Sequence, residues 1–376
     1  MKLYLVAGEA SGDARGAELI RSLRVLRPGI EFRGFGGPQM AALAGEAHIR
    51  DWTGRAAVIG IIDVVKNYGY FRQQFAIAKA EIAREKPDAV VLIDYPGFNL
   101  RLAAALKKSG GPAKIIDYIS PQVWAWNSNR IPGMARTLDL MICIFPFEKP
   151  LYEQSGLKAV FVGHPMLDTL AAKRLGTPRE ENLLALLPGS REREIRKIFP
   201  VMLQAAAILA KTRPGLRIAA AAANEDLRER MQEIARQYPG APCEITVKTA
   251  HDLMQRATAG MVASGTATLE ATYFGLPFVL LYKAAWLTFF IGRRLVKIKW
   301  LGITNILANR EIVREFLQEG AQPEAIATEL APLLDDPATR AAFQASLQTV
   351  VATLGSPGAS DRAATAILET LGVSHP

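Results

Sequence analysis

Short apolar runs, each followed by a stretch of helical periodicity, recur along nearly the whole chain. In the first half they are KLYLVA, IEFRGFG, AVVLID, KIIDYIS, LMICIF and AVFVG; in the second, LLALLPG, RIAAAAA, CEITVKT, AGMVASG and PFVLLY. That alternation builds parallel sheets with helices on both faces. Between the two sets lies HPMLDTLAAKRLGTPREEN, polar and proline-bearing, where the apolar period weakens. The expected architecture is α/β: two Rossmann-like doubly wound domains facing a cleft, at residues 1–165 and 183–344, with a linker at about 166–182. The tail from about Pro337 reads as helix interrupted at GSPGASD. In open sheets of this kind ligands bind beyond the carboxyl ends of the strands, so each half is expected to supply one wall of a site.

A chain of 376 residues is long enough for two cores, and its 50% hydrophobic and 22% charged content excludes a disordered protein. The formal net charge of +9 invites a polyanionic partner: nucleic acid, an anionic lipid surface or a phosphorylated substrate. Cys143 and Cys243 fall in separate apolar runs and read as buried free thiols of a reducing compartment, the cytoplasm by default. MKLYLVAGEASGD runs straight into fold and does not read as a signal peptide. The most apolar stretch, AAWLTFFIG, is about half the ~20 residues a membrane-spanning helix needs. The four histidines show no ligand spacing and no paired D-x-D is present, so no metal and no cofactor are expected. His164, in VGHPMLD, either lines the cleft or is structural.

Several turns carry candidate chemistry. GEASGD follows the first strand without G-x-G-x-x-G or a P-loop lysine; Glu9, Ser11 and Asp13 suit sugar hydroxyls better than a pyrophosphate. LLPGSRERE sets Gly189, Ser190 and Arg191 between a buried strand and a helix, where free N–H groups favour an anion and an arginine can fork onto phosphate. The plain alternative is a helix cap with a solvated basic face, which suits Arg193, Arg196 and Lys197 better. VASGTATLE repeats the device with Ser264, Gly265 and Thr266, and Glu270 about one turn of ~3.6 residues on can reach ribose hydroxyls. Two anion cradles in one domain point to a diphosphate. Asp94, closing the run VVLID, is either a general base at a strand end or a turn residue. In SPQVWAWNSN, Gln122, Trp124, Trp126 and Asn127 form a surface for sugars or acyl chains, or else the tryptophans are core.

Taken in order, GEASGD, GFGGPQM, IDYPGFN, SPQVWAW, VGHP, LLPGSR, SGTATLE and ITNILANR resemble the lipid-A-disaccharide synthases, inverting glycosyltransferases of the two-Rossmann GT-B type. The resemblance covers most of the chain. It implies transfer of a 2,3-diacylglucosamine unit from UDP to the 6-hydroxyl of 2,3-diacylglucosamine 1-phosphate (lipid X), giving a β-1′,6-linked disaccharide and UDP. It places the donor on Ser190, Arg191, Ser264, Gly265, Thr266, Glu270 and Asn305, with Arg191 also serving catalysis. The acceptor side falls to Glu9, Ser11, Asp13, Gln122, Trp124, Asn127 and His164, with Asp94 as base. The family often reads DAPDFN where this chain has DYPGFN; Gly97 stands at the second acidic position, which puts a two-carboxylate mechanism in question. The resemblance also implies that C-terminal helices, about 345–376, cross back to the first domain, in a monomer or a dimer that exchanges them.

Acylated substrates and positive charge together suggest a cytoplasmic protein held peripherally at the anionic inner membrane. YGYFRQQF, and AWLTFFIGRRLVKIKW with Trp286, Phe289, Phe290, Arg293 and Arg294, combine aromatics and basic residues as interfacial segments do; ordinary packing is the alternative. Another GT-B enzyme or a sugar-nucleotide epimerase shares the same expected cleft. A nucleic-acid-binding role is disfavoured, because the basic residues are dispersed and no such motif is present.

Overall fold

The computed structural model describes residues 1–56, 68–111, 114–283 and 298–373. They divide into two compact units: residues 1–168 with 354–376, and residues 169–353.

The first unit is built on a seven-stranded sheet: β1 Lys2–Ala7, β2 Glu31–Gly36, β3 Ile49–Asp51, β4 Ala89–Ile93, β5 Lys114–Tyr118, β6 Leu140–Cys143 and β7 Ala159–Phe161. The order is β3-β2-β1-β4-β5-β6-β7, with every pairing parallel. Strand alternation sends Leu3, Leu5 and Ala7 to one face and Tyr4 and Val6 to the other, and each face buries its own apolar cluster. Helix Ala10–Leu26 covers the first face together with the last helix, Ala359–Thr370, whose Ala363, Ala364, Ile367 and Leu368 are fully buried there. Polar ties fix this return: His164 N–H donates to Leu354 O (2.9 Å), Gly358 N–H to Asp168 Oδ1 (2.6 Å) and Arg362 Nε to Val162 O (2.8 Å).

The second unit carries β8 Leu183–Leu187, β9 Arg217–Ala222, β10 Cys243–Val247, β11 Ala259–Ala263, β12 Phe278–Tyr282 and β13 Glu315–Leu317. They form a parallel sheet ordered β10-β9-β8-β11-β12-β13. Helix Glu192–Thr212 shows why it packs here: Ile195, Ile198, Phe199, Met202, Ala205, Ala206 and Leu209 repeat at three- and four-residue steps and are buried.

The division falls at other residues than the sequence suggests in two places. The stretch 166–182 is not all linker, because helix Met166–Ala171 begins inside it and Arg179 donates to Met254 O, Ala257 O and Phe274 O of the second unit. At the other end the return to the first unit starts at Leu354 rather than about 345, since Pro337–Thr353 is one uninterrupted helix that stays with the second unit. Both cysteines are free; Cys143 is buried, whereas Cys243, on edge strand β10, is only half-buried.

Candidate active site

Each sheet reverses its strand order between two neighbours, β1 and β4 in the first unit and β8 and β11 in the second. Ligands of open α/β sheets sit at such switch points. Glu9, Ser11 and Asp94 follow β1 and β4, and Ser190, Arg191, Ser264, Gly265 and Thr266 follow β8 and β11.

In the second unit the two turns lie on adjacent strands. After β8, Gly189 takes φ +104°, and Arg191 precedes the helix Glu192–Thr212 in extended conformation. After β11, Gly265 takes φ +151° ahead of the helix Thr266–Tyr273. Neither helix start is capped by a side chain, and Ser190, Gly265 and Thr266 are exposed. Open N–H groups at paired helix starts, each with its dipole, suit the two phosphates of a diphosphate. Arg191 is exposed and paired with Glu194 Oε1 at 2.8 Å. Such a surface pair contributes little, so an incoming phosphate can take the guanidinium at small cost. Arg196 pairs with Glu192 in the same helix, and Arg193 and Lys197 face solvent. Glu270 Oε1 stands 3.4 Å from His251 Nε2, and His251 Nδ1 lies 3.2 Å from Lys173 Nζ. His251 has no sequence signal of its own; only the fold sets helix Ala250–Arg256 beside Glu270.

In the first unit the turn after β4 is strained. Asp94 has φ +33° and Tyr95 φ +148°, conformations that cost a non-glycine residue roughly 1–3 kcal/mol each. The Asp94 N–H donates to Tyr118 O at 3.1 Å, and Tyr95 O accepts from Phe98 N (3.2 Å) and Asn99 N (3.0 Å) as the helix Pro96–Lys108 begins. Burial raises the Asp94 carboxyl pKa above its ordinary value, and the charge of Glu9, at the end of neighbouring β1, raises it further. Both effects strengthen the carboxylate as a base.

Behind Asp94 lies a buried polar cluster that sequence reasoning did not single out. Asp117, in register with Leu92 on β4, is pushed well up by burial and then by Asp94 and Glu148. Glu148 is fully buried and pushed up to about 7 by desolvation. Its Oε1 accepts from Trp124 Nε1 at 3.0 Å, and its Oε2 from the N–H groups of Ile144 (3.3 Å) and Phe145 (3.1 Å). An aspartate inside an apolar strand, as in KIIDYIS, was the available signal. Among the described residues no group of three His, Cys, Asp or Glu side chains is placed to hold a metal ion.

The remaining candidates separate into open and occupied. Glu9, Ser11 and Gln122 are exposed and Asn127 is half-buried. Asp13 departs from its expected role: it is 1% exposed, and its carboxylate accepts from Gly37, Gln39 and Met40 N–H at 2.8–3.0 Å, capping the helix Pro38–Ala44. Asn305 departs likewise. It is fully buried, donating from Nδ2 to Val313 O and Glu315 Oε1 and accepting at Oδ1 from Ile312 and Val313 N–H, which leaves nothing for a donor. The Trp124 indole is committed to Glu148, while Trp126 is 47% exposed with Arg130 over its ring. His164 accepts from Met166 N–H at Nδ1, and burial and then Arg15 push its pKa down to about 4, so the ring is neutral at physiological pH.

Of the aromatic segment YGYFRQQF, Tyr70, Phe71 and Phe75 pack on the core of their own unit and Tyr68 is exposed. Trp286, Phe289, Phe290, Arg293 and Arg294 lie outside the described residues. No helix among the described residues is long and apolar enough to cross a membrane.

Solved structures share this architecture along the full chain. MurG of Acinetobacter baumannii aligns with a TM-score of 0.58 at 13% identity, covering 98% of this chain and 99% of that one. A UDP-GlcNAc 2-epimerase of Neisseria meningitidis, solved with UDP-GlcNAc, aligns at 0.57 and 12% identity, covering 99% of each. At such identities the likeness shows the fold, that of the GT-B enzymes, and does not choose between a transferase and an epimerase. Sequence does. The family model for lipid-A-disaccharide synthetase matches residues 3–369. The lipid-A-disaccharide synthase of Trichlorobacter lovleyi is 38% identical over 379 residues, covering 98% of this chain and 97% of the relative. That of Geobacter metallireducens is also 38% identical, covering 99% and 97%. With a family match along nearly its entire length and a GT-B fold beneath it, the chain belongs to the lipid-A-disaccharide synthases.

Proposed function

We propose that this glycosyltransferase moves 2,3-diacylglucosamine from its UDP donor to the 6-hydroxyl of 2,3-diacylglucosamine 1-phosphate, with the donor on the second unit and the acceptor on the first. The acceptor oxygen attacks the anomeric carbon from the face opposite UDP. The bond from that carbon to the β-phosphate oxygen breaks, its electron pair leaves with UDP, and the hydroxyl proton passes to the Asp94 carboxylate. Arg191 and the N–H groups at Ser190, Gly265 and Thr266 receive the charge that develops on the leaving diphosphate. Glu270 accepts hydrogen bonds from the ribose. The observation that carries this division is the chemistry of the switch points: open N–H groups and a releasable arginine on one sheet, a buried, strengthened carboxylate on the other.

Acyl chains on both substrates, and the net charge of +9, support work at an anionic membrane surface. Incubation with the two acylated substrates should yield a disaccharide monophosphate by mass and one UDP for each, while unacylated UDP-sugars give none. Turnover of unacylated donors at the same rate, or no disaccharide, removes the reading. Failure to sediment with anionic vesicles at low salt removes the membrane part alone.

A further inference from the structure

The strained pair at the end of β4 raises the question of what holds it. Tyr95 reaches out of its own turn in three directions. Its hydroxyl donates to Ala56 O at 2.9 Å, and with a pKa pushed up to about 12, chiefly by burial, it stays a donor at neutral pH. Its ring meets Trp52 edge-on at 5.7 Å between centroids, and Trp52 in turn donates from Nε1 to Ala7 O at 2.6 Å, so the aromatic anchor is itself tied to β1. The face of the Tyr95 ring lies directly against Gly8: a Cβ at that glycine would stand 2.3 Å from Cγ and 2.4 Å from Cδ1 of the ring. Gly8 immediately precedes Glu9. One side chain therefore joins the turn that carries Asp94 to the loop that carries Glu9.

We propose that Tyr95 is a positioning residue for the reaction, clamping the Asp94 turn against the Gly8–Glu9 loop so that the two carboxylates are held at a fixed spacing. The proposal rests on the reading of Asp94 as the base. Its physical content is electrostatic. Two carboxylates held together in a partly desolvated site share their repulsion, and the proton is bound more tightly than either group would bind it alone. The groups facing Asp94 are Glu9 from the β1 loop and Asp117 from β5. Only the first can be moved by Tyr95, because Asp117 is fixed in the strand ladder.

The test uses the full-length enzyme with carboxyl-¹³C aspartate, the Asp94 resonance being assigned by its loss in Asp94→Asn. Tyr95→Ala should lower the Asp94 titration midpoint, move the acid limb of the kcat/KM profile in the same direction, and reduce kcat by ~10-fold or more with KM for the UDP donor within twofold. Tyr95→Phe, which keeps the ring on Gly8, should retain most of kcat. Gly8→Ala should behave like Tyr95→Ala, and the double variant should be no worse than Tyr95→Ala, because removing the ring removes the clash. An unchanged Asp94 midpoint in folded Tyr95→Ala, judged by an unaltered circular dichroism spectrum, overturns the proposal, as does strict additivity in the double variant. Should Asp94→Asn keep full turnover, the base assignment falls, while the titration midpoints still decide whether Tyr95 positions the carboxylate.

Discussion

The turns that end β4 and β11 occupy equivalent places in their two sheets, yet they solve the same backbone problem in opposite ways. At β11, as at β8, glycine takes the positive φ, so the turn costs little, and the helix start that follows is left without a side-chain cap. At β4 the positive φ falls on Asp94 and Tyr95, and the cost is offset by packing and by hydrogen bonds that the turn donates to Tyr118 O of β5 and to Ala56 O of the helix Thr53–Ala56. The first kind of turn offers backbone to a ligand that brings its own charge. The second offers a side chain in one exact attitude.

That contrast breaks most directly at Asp94. Asp94→Asn keeps shape but cannot accept a proton, so turnover should fall by ~10²- to 10⁴-fold while calorimetric UDP affinity stays unchanged. A variant retaining more than about a tenth of wild-type rate would move the base elsewhere. Arg191→Ala is the counterpart in the second unit and should reverse the pattern: UDP affinity drops, turnover falls by ~10²-fold, and the melting temperature holds because the lost pair with Glu194 is exposed. Equal UDP affinity in wild type and variant would take Arg191 out of the donor site.

A third measurement sharpens the comparison through pH. Glu148 has a folded pKa raised to about 7, so the folded state binds its proton more tightly than the unfolded chain. The stability it lends is complete below its unfolded value near 4.5 and is lost as pH rises through about 7. The stability difference between wild type and Glu148→Gln, from urea titrations, should therefore shrink across that window by on the order of 2–3 kcal/mol. His164 acts with the opposite slope: its folded pKa is lowered to about 4, so it costs stability as pH falls below its usual value near 6.5. Both proteins carry that histidine, and its effect cancels in the difference. A difference flat with pH would place Glu148 in a solvated setting. The smallest expected effect is the most diagnostic of strain: Asp94→Gly should gain about 1 kcal/mol in folding stability while losing catalysis, whereas Asp94→Ala should not gain. Equal stability in the two variants would show that the turn is relaxed.

The repeating strands were legible because each is an apolar run too long for a turn and too short for a helix. β3 and β13 escaped notice for the same reason inverted: Ile49–Asp51 and Glu315–Leu317 are three-residue edges with charged ends, too brief to show a period. The turns after β8 and β11 were legible as turns because glycine at a strand end carries local meaning. Asp13 and Asn305 misled because a polar residue in a motif reads the same whether it serves a ligand or the backbone; which one it serves depends on Gly37–Met40 and on Ile312–Val313, brought in from elsewhere. Asp117, Glu148 and His251 were hidden for a related reason. Their significance is a matter of neighbours on other strands and helices, and no spacing in the sequence records it.

The last helix has a consequence for how the protein is made. Ala359–Thr370 supplies part of the core that covers β1, yet all of the second unit is translated between them. At ~5–20 residues per second, the first half of the chain waits on the order of ten seconds or more outside the ribosome with Leu19, Ile20 and Leu23 awaiting their final cover. The half that emerges first is thus the last to be finished, and during that wait it presents an apolar groove that a holding chaperone would recognise.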